Sequence, residues 1–116
     1  MSYSKPFLGK IVTVTIDRPL GSKHPKHEFE YRINYGYLDG VKAPDGEDLD
    51  AYVLGEEVPL KEFKGKCIAI IHRKDDDDDK LIVCSEDKNF TDDEIREATL
   101  FQEQWFQSEI VRYTND

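Results

Sequence analysis

The sequence predicts a small α+β domain, mainly β, in which a β-barrel or strongly curved sheet is sealed by one C-terminal helix. Three observations carry this. Short strand-like apolar runs separated by Gly, Pro and Asp recur up to residue 85, a helix start signal follows at Thr91, and the helices that a doubly wound sheet needs are missing. The 116 residues make a single domain, 1–116, with material for one modest core.

Each element has its own signal. Residues 10–17 alternate, with Val12, Val14 and Ile16 on one face and Thr13, Thr15 and Asp17 on the other, which is the period of a half-buried strand. Pro19 and Gly21 end it. Residues 22–30 carry Pro25 and no period, and read as an extended loop suited to chemistry. Residues 51–54, 66–73 and 80–85 read as further strands. The last two are apolar on both faces through Ile68, Ile70, Ile71, Leu81, Ile82 and Val83, which places them at the centre of the sheet. Thr91 and Glu94 form a capping box, with Phe90 and Ile95 at the flanking staple positions. Ile95, Ala98, Phe101 and Trp105 continue at about the helical period as one apolar stripe, and Phe101, Trp105 and Phe106 read as core.

Composition excludes several functions. Lys and Arg total 16 against 25 Asp and Glu, and the net charge of −9 repels nucleic acid from most of the surface. Cys67 and Cys84 lie inside apolar runs and read as buried free thiols, which points to a reducing, cytoplasmic setting. Residues 1–10 lack the apolar stretch of a signal peptide, and no run approaches the roughly 18 to 20 apolar residues of a membrane span, so no membrane partner is expected.

Two acidic segments invite chemistry. Asp45-Gly46-Glu47-Asp48-Leu49-Asp50 crowds carboxylates into a turn, and hard divalent cations with oxygen ligands relieve such repulsion. Its spacing does not fit an EF-hand. Asp75 to Asp79, ending in Lys80, forms a second run in the turn between the two central strands. A solvated acidic loop is the plain alternative for each. Because both segments sit at strand ends, they are expected to face a common space as one divalent-cation site.

Asn34-Tyr35-Gly36-Tyr37, then Ala43-Pro44-Asp45-Gly46-Glu47 with Asp50 three residues on, and an acidic hairpin ending in Asp79-Lys80-Leu81 together resemble the soluble family I inorganic pyrophosphatases. The resemblance implies an OB-like five-stranded β-barrel with a long C-terminal helix. It also implies hydrolysis of inorganic pyrophosphate to two phosphates with several Mg2+ ions. Carried over by position, Tyr35 bonds phosphate, Asp45 and Asp50 bind metal, and Glu47 stands where the family has the aspartate that bridges metals and helps activate water. Asp75 and Asp79 complete the metal set, with Asp76 or Asp78 as substitutes in a slightly short hairpin, and Lys80 touches phosphate. Asp17 stands near a family glutamate. A homo-oligomer is implied by the same resemblance.

The departures concern phosphate binding. The chain is short between Asp17 and Tyr35, where the family carries a phosphate-binding lysine and arginine, and Lys23 is the expected substitute, with Lys26 and Arg32 as further candidates. Near the C-terminus Trp105-Phe106 replaces a family Tyr-Lys pair. His24 and His27 read as solvated loop histidines, and His72 as a structural residue or a charge partner of the acidic hairpin. The leading reading is therefore a magnesium-dependent pyrophosphatase. Its rivals are a degenerate barrel that binds divalent cation or phosphate compounds without efficient catalysis, and a single-strand nucleic-acid binder, which the acidic surface opposes.

Overall fold

The computed structural model describes residues 3–44, 46–75 and 78–112. After a short 3-10 turn at Lys5–Phe7 come β1 (Ile11–Arg18), β2 (Asn34–Lys42), β3 (Asp48–Val53), β4 (Glu62–Arg73) and β5 (Asp78–Cys84). The helix α1 (Asp92–Glu103) and a last strand β6 (Ser108–Arg112) follow. The strands run in the order β1-β2-β3-β5-β4, and β4 returns to β1 to close a five-stranded barrel. The twelve-residue β4 serves three neighbours: residues 62–66 pair with β1, residues 69–73 pair with β6, and β5 lies along residues 66–73. Pairing is antiparallel except between β3 and β5, which are parallel and align Asp50 with Lys80.

The barrel interior is filled by Val12, Val14 and Ile16 of β1 with Leu38, Leu49, Ala51, Val53, Ile70, Leu81 and Val83. A second cluster, including Tyr52, Ala69, Ile71, Ile82 and Ile95, lies between the outer face of the sheet and α1. The double-faced apolar run in β5 thus has its cause: Leu81 and Val83 face inward while Ile82 faces the helix. In β4 the register advances from Cys67–Val83 to Ala69–Ile82, so Ile68 is the extra residue of a bulge. The bulge exchanges the two faces, which lets Cys67 and Ile70 share the interior. Both cysteines are free and buried.

Sequence periodicity misses β2 and β6. The inward positions of β2 are Asn34, Gly36 and Leu38, so no apolar alternation marks it. Asn34 is fully buried; its Oδ1 accepts the N–H groups of Leu20 and Leu60, and its Nδ2 donates to the Val58 carbonyl, joining three segments. Gly36 lets β1 come close at its irregularity, because a Cβ there would lie 1.9 Å from the Thr15 carbonyl oxygen. β6 is a short edge strand with only half-buried side chains.

The capping box forms as expected, with Glu94 N–H donating to Thr91 Oγ1 at 3.1 Å and Thr91 N–H donating to Glu94 Oε1 at 2.8 Å. The stripe ends sooner than expected. The helix stops at Glu103, the chain turns back through a Phe106 N–H to Glu103 carbonyl bond, and Trp105 is 60% exposed instead of core.

Gly36→Ala is expected to cost at least about 3 kcal/mol in urea unfolding, since the clash is with backbone that cannot yield cheaply. Gly40→Ala, at φ +80° but with open space around the new Cβ, should cost only about 1 kcal/mol.

Candidate active site

A cavity of about 600 Å³ opens between the outer face of the barrel, the loop after β1 and the end of α1. Its floor is built by strand register. Asp50 on β3 and Lys80 on β5 are aligned partners, and alternation along β5 puts Asp78 on the same face as Lys80. Lys80 Nζ lies 2.5 Å from Asp50 Oδ2 and 2.8 Å from Asp78 Oδ2. Lys80 is only 4% exposed. Burial works against its charge, but the carboxylates of Asp50 and Asp78 outweigh burial and Arg73 and hold its pKa above the usual lysine value.

Tyr35 stands beside this clamp, with its ring centroid 6.0 Å from Lys80 Nζ. Burial, and then the Asp50 carboxylate, push its phenol well above the ordinary value, so the hydroxyl stays protonated and can donate. Asp17 lines the same cavity. Burial raises its pKa, with Arg18 opposing and Asp50 adding to the rise.

The back wall is a buried polar network that fastens α1 to the barrel. Arg73 donates through Nε and Nη2 to Glu103 at 2.9 and 2.6 Å. Tyr52 hydroxyl donates to Glu103 at 2.6 Å, Gln102 Nε2 donates to Tyr52 hydroxyl at 2.7 Å, and Tyr31 hydroxyl donates to Gln102 Oε1 at 2.7 Å. The Arg73 guanidinium also sits 3.8 Å over the Phe106 ring. A cation at this end of the helix is favoured by the helix dipole as well.

Tyr35, Asp50 and Lys80 therefore meet on the cavity floor, with Asp17 on the wall. From the acidic hairpin, Asp78 joins them. Asp79 does not: it lies on the opposite face of β5, 2% exposed, where it accepts from the Ser4 hydroxyl and sits 2.6 Å from His72 Nδ1. His72 thus pairs with the hairpin through Asp79. Asp75 is exposed and accepts the Gln107 N–H at 3.2 Å, away from the cavity wall. Lys23, bridged to Glu30, and Lys26 line a separate hollow of the loop and not this cavity. Arg32 is exposed and does not line the cavity. Glu47 is exposed where the chain enters β3, its carbonyl accepting the Ala43 N–H, and does not line the cavity. Asp45, Asp76 and Asp77 lie outside the described residues.

Sequence reasoning missed Arg18 and Arg73, both on the cavity wall. A signal existed for Arg73: it is a charge ending an apolar strand, and it pairs in register with Asp78. His24 and His27 also line the cavity and pack against Phe29, with ring centroids 4.9 and 6.1 Å away.

Among the described residues, no three His, Cys, Asp or Glu side chains form a ready metal site. The donor chemistry still suits a hard divalent ion, since two carboxylates from different strands already converge on one cation and Asp17 is near enough to Asp50 to respond to its charge. Glu103→Leu takes the bidentate carboxylate from the buried Arg73, whose Nη1 keeps Asp78 at 3.8 Å, and should cost about 3 kcal/mol in urea unfolding, with much of that recovered in the Arg73→Leu/Glu103→Leu double variant.

A comparison with curated protein sequences returned no match. Solved structures do match in fold. The inorganic pyrophosphatase of Ehrlichia chaffeensis superposes with a TM-score of 0.68 at 16% identity, over 88% of this chain and 85% of that one. The Coxiella burnetii inorganic pyrophosphatase gives 0.64 at 16% identity, over 90% and 85%. That of Helicobacter pylori gives 0.63 at 16% identity, over 88% and 82%. A sequence profile of inorganic pyrophosphatase matches residues 10–114. By that match, over most of its length, the chain belongs to the inorganic pyrophosphatase family.

Proposed function

We propose that the protein hydrolyses inorganic pyrophosphate to two phosphates in this cavity, with Mg2+ as cofactor. The observation that carries the reading is the Asp50–Lys80–Asp78 clamp on the cavity floor, beside a protonated Tyr35. A chain of net charge −9 cannot easily receive a polyanion without cations between them. Asp50 and Asp78 would hold metal on the cavity floor; the family resemblance adds Asp45 and Glu47, of which Glu47 stands outside the cavity wall here. When bound, magnesium neutralises substrate charge and acidifies a water.

The chain's own groups supply the rest. Lys80 would turn from its two carboxylates to the substrate, which would leave Asp50 and Asp78 available to hold the metal. Tyr35 donates its phenolic hydrogen to a phosphate oxygen. Arg18, partly exposed and 4.0 Å from Asp17, takes the phosphate-binding role expected of Lys23. Glu47, which stands outside the cavity wall here, would have to reach over the floor to accept the proton of an attacking water. No described helix is long and apolar enough to cross a membrane; we place the protein in the cytoplasm on its buried thiols, and a homo-oligomer remains part of the proposal.

A second reading is favoured by the same clamp. With Lys80 and Arg73 already compensated by Asp50, Asp78 and Glu103, the barrel can bind phosphate compounds without efficient turnover.

Phosphate release from pyrophosphate decides between them. The purified protein is expected to release phosphate with magnesium and not with chelator, and Asp50→Asn and Glu47→Gln should each lose at least about 100-fold in kcat. No release from magnesium pyrophosphate would leave the binding reading. Lys80→Met should bind magnesium several-fold more tightly by calorimetry, because the competing ammonium is gone, while its KM for pyrophosphate rises.

A further inference from the structure

The cavity is larger and more aromatic than two phosphate groups require. Its volume of about 600 Å³ falls in the range of roughly 300–1,000 Å³ that encloses a whole drug-sized ligand. Pyrophosphate has no apolar face to present to such a wall. Yet Phe29 and Trp105 stand at the mouth with ring centroids 5.5 Å apart, and Trp105 is 60% exposed although it is the chain's single tryptophan. His24, at 4.9 Å from Phe29, extends this surface. The chain has thus left a large aromatic side chain in water where burial would have been favourable, and an aromatic platform beside a floor that offers the Lys80 ammonium and the Tyr35 hydroxyl suits a ligand with a flat ring and a phosphate tail.

The two halves are joined by a graded path. From Phe29 the rings step 5.6 Å to Tyr31 and 5.5 Å to Tyr35, and Lys80 Nζ lies 6.0 Å beyond. The aromatic mouth therefore stands three steps from the ammonium, with Tyr31 and Tyr35 between, leaving a stretch for a sugar. The cavity's cations, Arg18, Arg73 and Lys80, are balanced by Asp17, Asp50, Asp78 and Glu103, so a polyanionic tail would enter here as its magnesium complex.

We propose that the cavity binds a nucleoside 5'-diphosphate or triphosphate, its base stacked on Phe29 and Trp105 and its phosphates at Tyr35 and Lys80. The inference deepens the reading above, since it rests on the floor being a phosphoanhydride site. It adds that the phosphoanhydride is carried on a base. Base-on-aromatic stacking needs no particular base, so the platform selects for a ring and not for a sequence of hydrogen bonds.

Trp105 reports on its own occupancy. With excitation at 295 nm and equal magnesium, ADP is expected to quench tryptophan emission saturably and to bind at least about tenfold more tightly than pyrophosphate, which should leave emission little changed. Phe29→Leu keeps an apolar side chain but no ring, and should lower the ratio of ADP to pyrophosphate affinity about tenfold by calorimetry. Wild-type ADP affinity no better than that of pyrophosphate, or saturation by ADP without quenching, overturns the inference whether or not the variant folds. Phosphate release from pyrophosphate, measured in parallel, separates the two readings. Release without tight ADP binding overturns the nucleotide inference alone. Quenching by tightly bound ADP without release supports the nucleotide pocket and overturns only the hydrolysis.

Discussion

A buried ammonium between two carboxylates is the constraint around which this site is arranged. Lys80 is almost wholly removed from water, and such a charge is tolerated only where partners satisfy it. The partners come from strand register: parallel pairing of β3 with β5 delivers Asp50, and alternation within β5 delivers Asp78. The parallel pair in turn requires β4 to cross between them in sequence and lie beside β5 in space. The barrel topology and the charge cluster therefore depend on each other.

The second buried charge, Arg73, solves a different problem. Its bidentate pair with Glu103 connects the end of β4 to the end of α1, and the Tyr52–Gln102–Tyr31 chain continues that connection to the loop after β1. The helix is consequently held at both ends, by its capping box and by this network, and its last turn becomes the cavity's back wall. The chain beyond Glu103 is then free of the helical period, which is how Trp105 and Phe106 come to face the cavity instead of the core.

Much of this was legible in the sequence, for identifiable reasons. β1 and β5 bury side chains in a simple pattern, and the Thr91–Glu94 box is local chemistry, so each could be read directly. β2 could not, because Asn34 and Gly36 serve it through a three-way hydrogen-bonded joint and a close backbone approach that carry no hydrophobic signal. Among site residues, Tyr35, Asp50 and Lys80 were readable because motif spacing and strand register agree. A run of identical aspartates hides which of them shares a face with Lys80, and only pairing with β4 shows that Asp78 does and Asp79 does not. Arg18 and the two loop histidines depend on how the loop after β1 folds over the helix end, a long-range contact that local pattern does not carry.

The proposed function turns on Asp50 and Asp78, which Lys80 bridges here and which would hold a divalent ion in its stead. The most direct measurement is the anomalous difference map of crystals soaked in Mn2+, refined with the Lys80 side chain free to move. The account predicts a peak between the Asp50 and Asp78 carboxylates, with Lys80 Nζ no longer within hydrogen-bond distance of both. Saturating Mn2+ that leaves Lys80 bridging Asp50 and Asp78, with the peak elsewhere or absent, would contradict it.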